Sequence, residues 1–215
     1  MTVMAGLSEG LVYLDEQLIV LDKPAGLLAV PGRGEDKQDC LSARAQALWP
    51  DALVVHRLDM ATSGLFLMAR GIHMQRVLSR AFSDRSVYKR YQAVVAGELG
   101  GPGAQGVIDL PIAADWPRRP MQKVEPENGR PSTTRWEVLS QADGQTRLAL
   151  EPVTGRTHQL RVHLQAIGHP ILGDTLYAPQ EVQALAARLL LHATTLQLSH
   201  PATGEALAFA SAAPF

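Results

Sequence analysis

The segment His56-Arg57-Leu58-Asp59-Met60-Ala61-Thr62-Ser63-Gly64 concentrates the side chains best suited to chemistry. It sets one carboxylate, Asp59, between two apolar runs, Leu53-Val54-Val55 and Leu65-Phe66-Leu67-Met68. Loops held on a rigid frame are where functional groups are commonly displayed. Arg57 and Asp59 stand two residues apart, so an extended backbone points both the same way. Such a carboxylate can act as a nucleophile or as a base. Taken in isolation, an Asp ahead of Thr-Ser-Gly is more often a turn former that bonds its own backbone. Two other residues carry chemistry only in context. Tyr91 sits in an apolar strand, where a tyrosine commonly just packs. Arg161 read alone is a surface residue of a helix.

Other chemistries find little support. Among the seven histidines, His158 and His163 are the nearest pair in the richest segment. Five residues apart is about 140° around a helix, and opposite faces of a strand, so neither geometry lets both hold one ion. No metal site is expected. Gly32-Arg33-Gly34 is too short for a phosphate loop. Ser63-Gly64 lacks the pattern of a nucleophile elbow. Cys40 is the single cysteine, which leaves no internal disulfide and fits a reducing cytosol.

The elements that must position these residues are short. Leu18 to Leu21 reads as a strand running into the turn Asp22-Lys23-Pro24-Ala25-Gly26. Leu41 to Leu48 suits a helix ending before Pro50. Met74 to Phe82 is helical, with Val77, Leu78 and Ala81 on one face, and Tyr88 to Val95 is a strand ending at Gly97. Residues 98–131 are rich in Gly and Pro and read as an excursion from the core. Strands follow at Thr133 to Leu139 and Arg147 to Glu151. Thr157 is placed to N-cap a helix carrying Leu160, Leu164 and Ile167, with Gly168 as its stop. Glu181 to Leu191 begins as a second helix, and Leu196, Leu198 and Ala206 to Phe209 suggest a closing hairpin. Strand runs joined by short turns, with few helices, predict an α+β fold with a largely antiparallel sheet. The expected organisation is an N-terminal extension over residues 1–10 and a single domain over residues 11–215.

With 215 residues and 46% hydrophobic composition, the chain can bury a sizeable core. No apolar run approaches the roughly 20 residues that span a bilayer. The first ten residues lack the features of a signal peptide, so a cytoplasmic location is expected. Net charge is -1, but the charge is uneven. Residues 56–135 carry 12 basic and 7 acidic side chains, densest from Arg70 to Arg90. A local positive field attracts a polyanion even on a neutral protein, although a solvated helix face has the same composition.

The motifs, taken together, closely resemble the RluA family of pseudouridine synthases. His56 to Gly64 matches that family's catalytic motif, and Lys23-Pro24-Ala25-Gly26 looks like its first turn. Lys89-Arg90-Tyr91-Gln92-Ala93 is similar to its tyrosine strand. Gly155-Arg156-Thr157-His158-Gln159-Leu160-Arg161-Val162-His163 resembles its third motif, and Leu191-His192-Ala193 with His200-Pro201 its closing segment. A single motif would be weak evidence; five in order, from about residue 11 to the C-terminus, are specific.

The resemblance implies a pseudouridine synthase fold, in which a mixed, mostly antiparallel sheet with flanking helices surrounds a central active-site cleft. It implies an RNA isomerase that turns uridine to pseudouridine without a cofactor. Breaking the bond from ribose C1′ to N1 and rejoining the base through C5 changes no oxidation state and imports no group. In that reading Asp59 is the catalytic carboxylate, attacking C1′ or taking the 2′ proton. Arg161 supplies the cation that keeps Asp59 ionised, and Tyr91 stacks on the base and helps remove the C5 proton. Leu160 packs beneath the base. Arg57 braces the gap left by the extruded nucleotide, since a stacked base must leave its helix to react. Arg118, Arg119 and Lys123, in the Gly/Pro-rich excursion, are candidate phosphate contacts. The implied partners are stem-loops of large-subunit ribosomal RNA and of tRNA, with no membrane, and a monomer suffices. Two other classes fit the residues alone: an RNA-binding protein in which Asp59 only shapes a turn, and a nucleoside hydrolase.

Overall fold

A computed structural model describes residues 10–215; the expected extension over residues 1–10 falls, up to residue 9, outside the described residues. The chain divides into two compact units. One runs through Lys89 and resumes at Ala193–Pro214; the other comprises Arg90–His192 with Phe215.

The first unit begins with β1 (Leu11–Leu14) and β2 (Leu18–Lys23), then α1 (Leu41–Leu48), β3 (Ala52–Val54), β4 (Ser63–Arg70) and α2 (Gly71–Ser83). β5 (Tyr88–Ala96) leads into the second unit. There follow β6 (Gln105–Asp109), β7 (Ile112–Ala114), β8 (Gln122–Val124), β9 (Thr133–Ala142), β10 (Gln145–Pro152), α3 (Gln159–Ala166) and α4 (Gln180–Gln183). β11 (Leu191–Ser199) carries the chain back into the first unit, and β12 (Ala206–Ala210) closes it. The fold is α+β and the sheet mostly antiparallel, as the strand pattern predicts.

In the first unit the strand order is β1-β2-β4-β11, with β12 on β11 and β3 on β4. Leu18, Ile19, Val20 and Leu21 are all fully buried, as are Phe66, Leu67, Met68 and Ala69 on β4. These two strands therefore read as continuous apolar runs, because both of their faces are covered. Their core is Leu18, Val20, Leu65, Leu67 and Ala69 with Leu78 of α2 and Leu196 and Leu198 of β11. α1 ends before Pro50 as expected. Its N-cap is the lone cysteine, Cys40, whose buried sulfur accepts the Ala43 amide.

In the second unit the order is β5-β10-β9-β6, antiparallel throughout. β9 and β10 form a hairpin whose turn, Asp143-Gly144, has positive φ at both residues. That chirality matches the twist of the strands it joins. The Gly/Pro-rich stretch is only partly an excursion. β6 joins the sheet edge beside β9, and β7 pairs with β8 as a separate ribbon.

Two helix expectations are corrected. The third-motif helix is capped by His158 in the left-handed region, φ 54°, rather than by Thr157. No side chain caps it; the Gln159 side chain instead holds the preceding turn, its Oε1 accepting the Arg156 amide and the Thr154 hydroxyl. The second helix stops at Gln183 instead of continuing to Leu191. Its helix-forming sequence is overridden by tertiary pairing: Leu190 exchanges backbone hydrogen bonds with Leu172 and Val94, and Leu189 and Leu191 are buried.

Candidate active site

The catalytic-motif loop is fixed at three points in the first unit. His56 lies between Phe82, on which it stacks at 4.5 Å, and Phe66 at 4.9 Å. Its Nε2 accepts the Leu67 amide at 2.9 Å. Burial, aided by the positive charge of Lys89, pushes its pKa down to about 3, so the imidazole is neutral and acts as an acceptor. Lys23 is the second point. This fully buried lysine donates to the carbonyls of Pro24, Leu27 and Met60 at 2.7–3.0 Å. It thereby ties the first turn to the residue next to Asp59, and the Gly26 amide donates to the Met60 carbonyl as well. Gly64 is the third, with φ +109° and the backbone of Ala193 so close that a Cβ would sit 2.3 Å from its carbonyl oxygen. Only glycine lets β4 start there.

Between these anchors Leu58 is buried, Arg57 is exposed and Asp59 is half-buried. The Asp59 carbonyl accepts the Thr62 amide at 3.1 Å, closing the turn into Thr62 and Ser63, both buried. The loop thus presents Arg57 and Asp59 on either side of an inward-turned leucine.

In the second unit Tyr91 lies half-buried on β5, opposite Leu150 of β10. Leu160 and Arg161 are both buried in the first turn of α3. Arg161 has a carboxylate partner that the sequence reading missed. Its Nε and Nη2 donate to the two oxygens of Asp174 at 2.8 and 2.6 Å, with both side chains almost wholly buried. Asp174 also accepts the amides of Leu176 and Tyr177. The Tyr177 ring lies 5.0 Å from the Arg161 guanidinium carbon. Its hydroxyl accepts the Gln122 amide and stands 2.6 Å from His158 Nδ1. His163 is also held structurally, between the Thr134 hydroxyl and the Leu110 carbonyl, and burial lowers its pKa. No sequence spacing marks Asp174 or Tyr177, because their contacts are made by the fold.

The basic stretch is partly neutralised. Arg70 pairs with Asp51, Arg80 with Asp84 and Arg90 with Glu137, while burial lowers the Lys89 pKa. In the excursion Arg118 pairs with the buried Asp115 and Lys123 with Glu125, both at 2.6 Å. Arg119 instead stacks on Trp116, its guanidinium carbon 3.5 Å from the ring centroid. A cavity of about 550 Å³ in this unit is lined by Arg118, Met121, Lys123, Leu176 and Tyr177, among others.

Comparison with known proteins bears on this arrangement. Residues 17–166 match the model of the RNA pseudouridylate synthase family. The chain belongs to that family. It is 48% identical to the dual-specificity RNA pseudouridine synthase RluA of Escherichia coli K12, over 95% of this chain and 93% of that one. The corresponding Vibrio cholerae protein is 49% identical over 88% and 77% of the two chains. Among solved structures, human RNA pseudouridylate synthase domain containing 1 superposes with a TM-score of 0.80 at 28% identity, covering 96% of this chain and 84% of its own. Human RNA pseudouridylate synthase domain containing 4 gives 0.80 at 26% identity, covering 99% and 92%.

As an RNA pseudouridine synthase the chain is an isomerase that acts on uridine in RNA. The three anchors hold the loop that carries Asp59 in place. Among the described residues no helix is long and apolar enough to cross a membrane.

Proposed function

We propose that Asp59 is the catalytic carboxylate of a dual-specificity synthase, modifying uridines in stem-loops of both large-subunit ribosomal RNA and tRNA. The single observation that carries this reading is the anchoring of the Asp59 loop by His56, Lys23 and Gly64, combined with its match to the family's catalytic motif. The dual-specificity name of the 48% identical relatives supports two RNA classes. Tyr91 is proposed to stack on the uracil and assist loss of the C5 proton, with Leu160 packing beneath it. Arg161, held by Asp174, is proposed as the cation that serves the carboxylate. Arg57, exposed and without an ion pair among the described residues, suits the bracing of the emptied helix position. Arg118, Arg119 and Lys123 are proposed phosphate contacts, with Arg118 and Lys123 contributing less than bare charges would because each is already paired. The reading takes the two units as one catalytic domain that works as a monomer in the cytoplasm; its exposed large apolar side chains are scattered over β1, α2, β5, β6 and β9 and at Met60, Trp116 and Leu185.

The test uses RNA labelled with tritium at uridine C5. Two hairpins sharing one loop but with unrelated stems, one stem taken from each RNA class, should both release tritium to water without free uracil. The unstructured strand of the same loop should react poorly, because RNA-specific recognition targets loops whose bases can be splayed out. Equal rates on hairpin and open strand would contradict recognition of the folded loop. Release of free uracil would instead identify a hydrolase.

A further inference from the structure

The tip of the β7–β8 ribbon carries a feature the reaction at Asp59 does not use. Trp116 is 67% exposed, whereas the chain's other two tryptophans, Trp49 and Trp136, are half-buried. A single exposed apolar residue is ordinary on a protein surface. What sets Trp116 apart is how it is held. One face of the indole is covered by the Arg119 guanidinium at 3.5 Å, and the exposure that remains leaves the opposite face open. The short helical turn Trp116–Arg118 is pinned from below. The Asp115 side chain, buried, accepts from Arg118 Nε at 2.7 Å, and the Asp115 amide donates to the Met121 carbonyl. Pro117 within the turn restricts it further. The ring is therefore preorganised, and a tryptophan with only two side-chain torsions loses little freedom when something stacks on it.

The chemistry around the ring selects the partner. Arg119 makes no ion pair among the described residues, so its charge stays available beside the platform, and Arg118 and Lys123 line the adjoining cavity. An open aromatic face backed by a guanidinium, with further cations nearby, suits a nucleobase together with its phosphate. It suits an apolar protein surface poorly, because that surface would have to bury the charges. The geometry points to Trp116 as a stacking platform for an unpaired base of the substrate RNA other than the uridine that reacts. Arg119 stiffens the platform and meets the neighbouring phosphate. This inference rests on the proposed stem-loop substrate and adds a second point at which the loop is gripped. Base–aromatic stacking of this kind is worth about tenfold or more in affinity.

The experiment compares the parent protein with W116F and W116A on a tritiated hairpin. Binding is followed by tryptophan fluorescence and turnover by tritium release. Stacking on Trp116 predicts RNA-dependent quenching in the parent that is largely absent from W116F. It also predicts that W116A raises KM about tenfold or more while kcat changes far less, and that W116F keeps most of the affinity because its ring still stacks. Equal quenching in parent and W116F, or an unchanged KM in W116A, overturns the proposal and leaves the platform to some other partner. Melting curves of both variants show that the fold is retained. A parent that binds the hairpin with Trp116 quenching but releases no tritium would instead defeat the proposed substrate while leaving the stacking site standing.

Discussion

Burying a guanidinium costs several kcal/mol unless a carboxylate meets it, and Arg161 meets Asp174 through two short, parallel hydrogen bonds. The pair fixes the direction of the Arg161 side chain, which a lone exposed arginine would not have. Removing one partner of such a pair leaves a buried charge uncompensated, at about 3–5 kcal/mol. Asp174→Asn keeps the shape and removes the charge. It should lower the melting temperature by about 6–20 °C, since a chain of this size loses about 2–4 °C per kcal/mol. Thermal unfolding checks this, and an unchanged melting temperature would show that the pair contributes nothing. At this scale the sequence showed Asp59, Arg57, Tyr91 and Arg161 because they lie inside dense motifs. It did not show Asp174, 13 residues from its partner, since only the folding of the chain after α3 brings the two together.

At the scale of elements, the start of β4 decides where the Asp59 loop ends. Gly64 combines positive φ with backbone contact to Ala193, so both sterics and conformation exclude a side chain. Gly71, at the start of α2, has positive φ as well, but nothing lies within 4 Å of its would-be Cβ. The two glycines separate the two costs. Gly71→Ala should destabilise by about 1–2 kcal/mol, the left-handed penalty alone. Gly64→Ala should add an overpacking cost of about 1–3 kcal/mol and depress turnover by displacing the loop. Urea unfolding of both variants measures the difference, and equal losses would mean that the contact at Ala193 relaxes freely. Most elements were legible from apolar runs and punctuation by Gly and Pro. The exceptions have physical causes. The segment Ala184 to Leu191 has helical composition, yet it leaves the helix through turns and Leu190 pairs with Leu172 and Val94. β6 hides in a Gly-rich stretch whose alternation is too short to read.

Over the whole molecule, two buried imidazoles link stability to pH. His56, with a pKa of about 3, and His163, also lowered, stay neutral in the fold. In the unfolded chain both take up a proton near the ordinary value of about 6.5. Between those limits the unfolded state binds more protons, so stability is fully present above about pH 6.5 and declines as pH falls. His56, with its large depression, contributes a slope approaching about 1.4 kcal/mol per pH unit, and His163 acts in the same direction. Urea midpoints should therefore drop from pH 7.5 to pH 5.5. His56→Gln, whose amide oxygen can still accept the Leu67 amide, should show a shallower drop. The same drop in parent and variant would place the linkage elsewhere. The α+β class was readable in the strand pattern; the division into two compact units was not, because β5 and β11 each carry an unbroken strand sequence from one unit to the other.

The central claim is that the carboxylate of Asp59 does the chemistry, and it is tested most directly by tritium release from a hairpin substrate with purified Asp59→Asn. The account predicts an unchanged melting curve, RNA binding close to that of the parent, and turnover lower by at least ~10²–10⁴, the contribution of a lost catalytic base or nucleophile. A variant that still releases tritium at a tenth of the parent rate would contradict it and reduce Asp59 to a residue that shapes its turn.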